Sequence, residues 1–413
     1  MHTLTELRSG KLLGTKHLAL RENLSQFPVE ILSLADSLEI LDLSNNQLSS
    51  LPKEIAQLKK LKILFASNNQ FNTLPEALGM CPNLEMIGFK SNQISYVPAL
   101  SLPLKLRWLI LTGNRIETLP DTLGECKLMQ KMMLAGNQLT SLPENLHQLH
   151  NLELVRISAN NLTQCPDQLL NLPKLAWLAF AGNPFSQSST ENQTVPNLFS
   201  TDLRIGEVLG QGASGVISKA QWTKQQSTFP NEIAVKVFKG EITSDGYPQD
   251  ELQACLKVGN HPNLIQSLAQ VNEPGFLALI MNLIPDIYKN LGLPPCFDSC
   301  TRDNFSEGFY LPIDKIQNIV NQMKNVFEHL HNHKVCHGDL YAHNTLIDDE
   351  ANVIFGDFGA ATQYHMLNTS QQAQVKQVEQ RALNYFIADL LSICIEKDRN
   401  SDSYKRLAQQ INY

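Results

Sequence analysis

LEILDLSNNQLSSLP, residues 38–52, sets Leu or Ile at positions 38, 40, 41, 43, 48 and 51 around an asparagine at 46 and closes on proline. The pattern L-x-x-L-x-L-x-x-N-x-L that it spells returns with starts at Leu38, Leu61, Leu84, Leu106, Met129, Leu152 and Leu175, a spacing of 23 residues with one step of 22. A fixed period of this length means stacked units, because each short strand carries an inward apolar set that only the next unit can bury.

The array is a leucine-rich repeat solenoid. LDLSNNQLSSLP, LFASNNQFNTLP, LILTGNRIETLP and MMLAGNQLTSLP carry the strand, the Asn and the following Leu-Pro, and HLALRENLSQFP at 17–28, one residue short, is expected to cap the start. Asn46, Asn69, Asn92, Asn114, Asn137, Asn160 and Asn183 should form a structural ladder, each amide satisfying backbone groups in the turn after its strand. The outward column reads Ile40, Ile63, Met86, Trp108, Lys131, Leu154 and Trp177, and the next adds Phe65, Ile110, Met133 and Arg156. Solvated faces seldom collect so much apolar and aromatic area. A protein partner is therefore expected on the concave face at Phe65, Met86, Trp108, Met133, Arg156 and Trp177, against the alternative of burial between neighbouring side chains of one sheet.

The period stops after Asn183, and PFSQSSTENQTVPNLFS has linker composition, which places a repeat domain at 1–183, a linker at 184–201 and a second domain at 202–413. LRIGEVLGQGASGVISKAQW then predicts a hairpin whose Gly210, Gly212 and Gly215 let backbone approach phosphates. IAVKVF carries Lys236 mid-strand, a costly charge unless phosphate or carboxylate meets it, and ELQACLKVG is a helical stretch whose Glu251 can supply that carboxylate. FLALIMNLI reads as a buried strand leading to a connector, with Met281 near an adenine site and 282–284 as hinge backbone. DKIQNIVNQMKNVFEHLHNH places Ile316, Ile319, Val320, Met323, Val326, Phe327 and Leu330 on one helical face. HGDLYAHN follows at 337–344, then two short strands, TLID and NVIF, and Gly356-Asp357-Phe358-Gly359.

Glycine loop, IAVK, HGDLYAHN and DFG, in that order, resemble the protein kinase fold, and the whole chain resembles the compact, soluble, bacterial kind of leucine-rich repeat serine/threonine kinase. The fold class implied is an α/β leucine-rich repeat solenoid followed by a two-lobed α+β protein kinase-like domain. The resemblance implies that Asp339 orients the acceptor hydroxyl and takes its proton, that Lys236 and Glu251 pair, and that Asn344 and Asp357 hold Mg²⁺. It implies an ATP site at Leu209, Gly210, Gly212, Gly215, Ile217, Ala234, Lys236, Met281 and Leu283. There are departures: HGD stands for HRD, Tyr341 replaces a phosphate-contacting Lys, no APE follows DFG, and Glu379 takes the place of a helix Asp. Since HGDLxxxN also occurs in aminoglycoside and choline phosphotransferases, a small-molecule acceptor stays open, as does a nucleotide-binding scaffold without turnover. Gly338 leaves no guanidinium for an activation-segment phosphate to neutralise, and the Gln-rich segment after DFG, with Thr362, Tyr364, Thr369 and Ser370, reads as a mobile loop.

A net charge of −7 over 413 residues argues against a general nucleic-acid or anionic-membrane surface. No 18-residue apolar run or signal-peptide core is present, so a cytoplasmic protein without an integral membrane segment is expected. Eight scattered cysteines suit a reducing compartment, and Cys296 and Cys300 lack the second ligand pair that a structural metal needs.

Overall fold

A computed structural model describes residues 2–187, 195–212, 214–224, 228–240 and 242–411. It divides into two compact units, Met1–Leu175 with Asn183–Phe185, and Ala176–Gly182 with Ser186–Tyr413.

In the first unit each repeat contributes a three-residue strand. Ile40–Asp42, Ile63–Phe65, Met86–Gly88, Trp108–Ile110, Lys131–Met133 and Leu154–Arg156 run parallel in direct register, and His17–Ala19 starts the sheet. Their central residues, among them Leu41, Leu64, Leu109 and Met132, are fully buried, because alternation turns the middle side chain inward. The asparagine ladder forms as expected. Asn137 shows its geometry: Oδ1 accepts from Ile116 N at 3.1 Å, and Nδ2 donates to Leu111 O at 3.0 Å and Leu134 O at 2.9 Å. One amide thus satisfies three backbone groups that the turn would otherwise bury unpaired. After each Leu-Pro the chain returns through a 3-10 turn such as Lys53–Gln57 or Asp121–Glu125.

The second unit holds a six-stranded sheet in the order Leu203–Gln211, Gly215–Trp222, Glu232–Phe238, Phe276–Asn282, Ser267–Glu273 and Asn197–Leu198. Pro248–Val258 is its helix. Below it lie Ile313–Asn332, Thr369–Ser392 and Asp402–Gln410. All seven residues expected on the inner face of Ile313–Asn332 are buried. Within the expected linker, Asn197–Leu198 pairs in parallel with Gln270 and Val271, while residues 188–194 lie outside those described.

One expectation needs correction, and the contact division differs from the repeat period: Ala176–Gly182, carrying the last repeat strand Trp177–Ala179, belongs with the second unit. The Gln-rich stretch is no loop from Thr369 onward but the first turns of a 24-residue helix, capped by Asn368 Oδ1 accepting from Gln371 N at 3.0 Å. Gln has good helix propensity, and an Asn before the run supplies the cap, so local chemistry favours helix where composition suggested disorder.

Candidate phosphoryl-transfer site

The glycine hairpin opens the site. Val216 to Gln221 pair with Glu232 to Val237 in antiparallel register, which sets Ile217 beside Lys236. Gly215 must lack a side chain, because a Cβ there would stand 2.5 Å from Val237 O. Lys236 pairs across the sheet with Leu279, and its ammonium meets Glu251 Oε1 from the helix Pro248–Val258. Asp357 Oδ1 lies 4.0 Å from the same nitrogen. Burial opposes the ammonium, but Glu251 first and Asp357 second outweigh it and hold the Lys236 pKa above its ordinary value. The lysine is thus a fixed cation facing the cleft.

That cleft opens to solvent. Its lining includes Gly212, Gly215, Ile217, Lys236, Glu251, Met281 and Asp357. Ala234 is buried behind it in one cluster with Met281 and Leu279, and Leu283 packs on that cluster from outside. Leu209 is exposed, and neither it nor Gly210, Ala234 and Leu283 is among the lining residues. Asp245 and Ser214 also line the cleft: Asp245 stands in no recognisable motif, and Ser214 is one of the unspecified positions of the glycine loop.

The HGDLYAHN loop sits beneath the cleft and has its backbone held from several sides. Glu379 Oε1 accepts from His337 N at 2.6 Å and Gly338 N at 3.1 Å, and Asp303 Oδ1 accepts from Ala342 N at 2.8 Å. Asn344 Nδ2 donates to Asp339 Oδ2 at 2.8 Å and to Asp339 O at 3.1 Å. This fixes the carboxylate of Asp339 and leaves the amide oxygen of Asn344 for a ligand. Gly356 N donates to Asn344 O at 3.4 Å, so Asp357 follows within one residue of the asparagine. Asp357 takes a left-handed backbone, φ 57°, and its Oδ1 accepts from Gly359 N at 3.4 Å. Phe358 is buried near His337, ring centroids 5.0 Å apart, while the carboxylate beside it stays half-exposed. Strain of this kind at a non-glycine residue costs on the order of 1–3 kcal/mol and persists where a site needs the geometry.

The repeat face is less open than its sequence implies. Met86, Arg156 and Trp177 are buried, so they do not present a free surface. Met86 lies in register between Ile63 and Trp108, and flat neighbouring strands cover it. Phe65 fills the space above Gly88, where an added Cβ would come 2.5 Å from its ring. Trp108 carries the Lys131 ammonium 4.1 Å from a ring centroid. Phe65, Trp108 and Met133 remain partly exposed.

A protein kinase domain model matches residues 203–394 and a leucine rich repeat model residues 36–94, so the chain consists of leucine-rich repeats followed by a protein kinase domain. Mitogen-activated protein kinase kinase kinase 2 of Arabidopsis thaliana is 26% identical over 199 residues, covering 46% of this chain and 28% of that protein. Fibroblast growth factor receptor 1 of Pleurodeles waltl is 25% identical over 180 residues, 41% of this chain and 22% of that protein. The chain therefore spans less than a third of either relative's length. Among solved structures, the plant peptide hormone receptor RGFR1 in complex with RGF2 is similar over 43% of this chain and 30% of that one, at 28% identity and a TM-score of 0.37.

Proposed function

We propose that this chain transfers the γ-phosphoryl group of ATP to Ser or Thr hydroxyls of a protein substrate in the cytoplasm, and that the partly exposed repeat residues Phe65, Trp108 and Met133 help recruit a protein. The observation that carries the reading is the meeting of Lys236, Glu251 and Asp357 in one cleft, with the hydrogen-bonded pair Asp339 and Asn344 in the loop whose Asn344 carbonyl accepts from Gly356 N, next to Asp357. Asp339, oriented by the Asn344 amide, receives the acceptor proton, and Lys236 steadies phosphate oxygens. A divalent cation fits the donors present: the Asn344 amide oxygen and the Asp357 carboxylate are both hard ligands. No group of three or more His, Cys, Asp or Glu among the described residues is placed to hold a metal by itself. Asn344 and Asp357 would hold a Mg²⁺, which would offset the charge of the phosphates when bound. Among the described residues no helix is long and apolar enough to cross a membrane.

The test is label transfer from γ-labelled ATP with Mg²⁺ into a lysate, followed by identification of the labelled residue. Asp339→Asn should abolish transfer with nucleotide affinity nearly intact, and Lys236→Met should weaken both. Equal turnover by wild type and Asp339→Asn rejects the reading, and label on a small molecule or on tyrosine redirects the acceptor.

A further inference from the structure

We propose that Trp177, on the last repeat strand, is a positioning residue for the catalytic loop, so that the strand Trp177–Ala179 is a working part of the kinase site. The proposal rests on the phosphoryl-transfer reading for its kinetic arm. It begins with the chain path: the polypeptide leaves the first unit after Leu175 and runs through the second from Ala176 to Gly182. Trp177 is 1% exposed there. Its Nε1–H donates to Leu340 O at 2.9 Å, the carbonyl immediately after Asp339. The indole lies parallel to Tyr341, 5.1 Å between centroids with 2° between planes, and stacks on Tyr385 at 5.3 Å and 17°. One side chain therefore bridges the catalytic loop and the helix Thr369–Ser392.

The next residues extend the same grip. Leu178 O stands 2.6 Å from where a Cβ on residue 338 would be, and Gly338 has φ +71°. Phe180 N donates to Thr362 Oγ1 at 3.2 Å, just beyond the DFG turn. The segment thus touches both sequences that flank the reacting centre. Two departures from the kinase pattern acquire one cause: strand backbone leaves no room for any side chain at 338, and Tyr341 is a stacking platform for the indole.

Asp339 is consequently flanked by anchored peptides, with His337 N and Gly338 N held by Glu379 before it, and Leu340 O held by Trp177 and Ala342 N by Asp303 after it. Releasing the Leu340 carbonyl strands a buried acceptor and frees the peptide that follows the acceptor-orienting carboxylate. Rate is sensitive to misplacement of such a group on a sub-ångström scale, whereas nucleotide binding, set by the cleft above, is not.

The experiment uses the full chain as Trp177→Phe, which retains a stacking ring without the N–H, and Trp177→Ala, which removes both. Expected for Trp177→Phe are a fall in kcat of at least tenfold, KM and Kd for ATP within twofold of wild type, and at least tenfold faster hydrogen exchange over residues 337–344; Trp177→Ala should lose more on each loop readout. Trp222→Phe, which removes an indole donating to Pro230 O at 2.8 Å away from the loop, should change none of these. Unchanged kcat and unchanged exchange in Trp177→Phe overturn the proposal. Wild type that labels no acceptor defeats the phosphoryl-transfer reading, while the exchange comparison still decides whether Trp177 holds the loop. Should Trp177→Phe fail to fold, a benzothienylalanine at 177, isosteric with Trp but lacking the donor, gives the same readouts.

Discussion

Replacing Glu379 separates what its acceptor does from what its charge does. The side chain is buried, Oε1 accepts the His337 and Gly338 N–H groups, and Oε2 lies 3.6 Å from His331 Nδ1. Burial pushes the Glu379 carboxyl up to about 8 against the pull of the two N–H groups, and burial, then Lys376 and Lys334, pull His331 down to about 4. Near pH 6 both groups are neutral, so the short approach is not an ion pair. Glu379→Ala leaves two buried donors unpaired at roughly 1–3 kcal/mol each, a loss of about 2–6 kcal/mol. Glu379→Gln keeps an oxygen for both donors and replaces a group already uncharged, so it should cost less than about 1 kcal/mol at pH 6. The sign of the pH dependence follows from the raised value. The folded form holds a proton that the unfolded form releases above about 4.5, so the stabilisation is full below that pH and is lost as pH rises through about 8. The slope is on the order of 1 kcal/mol per pH unit inside this window. Asp303, raised to about 8 by burial and then by Asp389, adds a slope of the same sign, whereas His331, pulled down to about 4, contributes the opposite sign below its ordinary 6.5, so the fall with pH is read between about 6.5 and 8, where Glu379→Gln should reduce it. Urea unfolding between pH 5 and 8.5, followed by Trp fluorescence, measures all of this. Wild-type stability that rises between about pH 6.5 and 8, or Glu379→Gln as unstable as Glu379→Ala at pH 6, refutes the reasoning.

Basal turnover should not depend on phosphorylation of the segment after DFG. Thr362 and Tyr364 are buried, and the exposed hydroxyls Thr369 and Ser370 open a capped helix. A Thr369→Ala, Ser370→Ala double variant and phosphatase-treated wild type should keep rates within about tenfold, or roughly 1.4 kcal/mol in barrier, by steady-state assay. Gly338→Arg, which rebuilds the HRD motif, should abolish transfer because Leu178 O occupies the side-chain position; a variant retaining wild-type turnover would contradict the packing described. In the repeats, Asn137→Ala deletes three hydrogen bonds to backbone and should cost about 3 kcal/mol in denaturant unfolding, leaving the kinetics of a short peptide substrate unchanged.

Much of this molecule is written locally. The 23-residue period declares the strands and the Asn ladder, because burying an alternating strand and an amide with three bonds demands the same residues in every unit. The order of glycine loop, Lys236, Asp339, Asn344 and Asp357 is similarly legible, since the phosphate and cation roles proposed for them restrict which residue types could serve. Glu379 too stands in a helix that its sequence announces. Relations between distant residues are not written this way. Trp177 has the same spacing as Trp108, yet Trp108 keeps a partly exposed face under Lys131 while Trp177 is buried on Tyr341 and Tyr385. No local pattern distinguishes them, because the difference lies in partners about 160 and more residues along the chain. Gly338 likewise looks like a lost arginine until Leu178 O is found in its place. Which strand residues meet solvent and which meet the catalytic loop depends on packing between segments remote in sequence, and only the tertiary structure decides it.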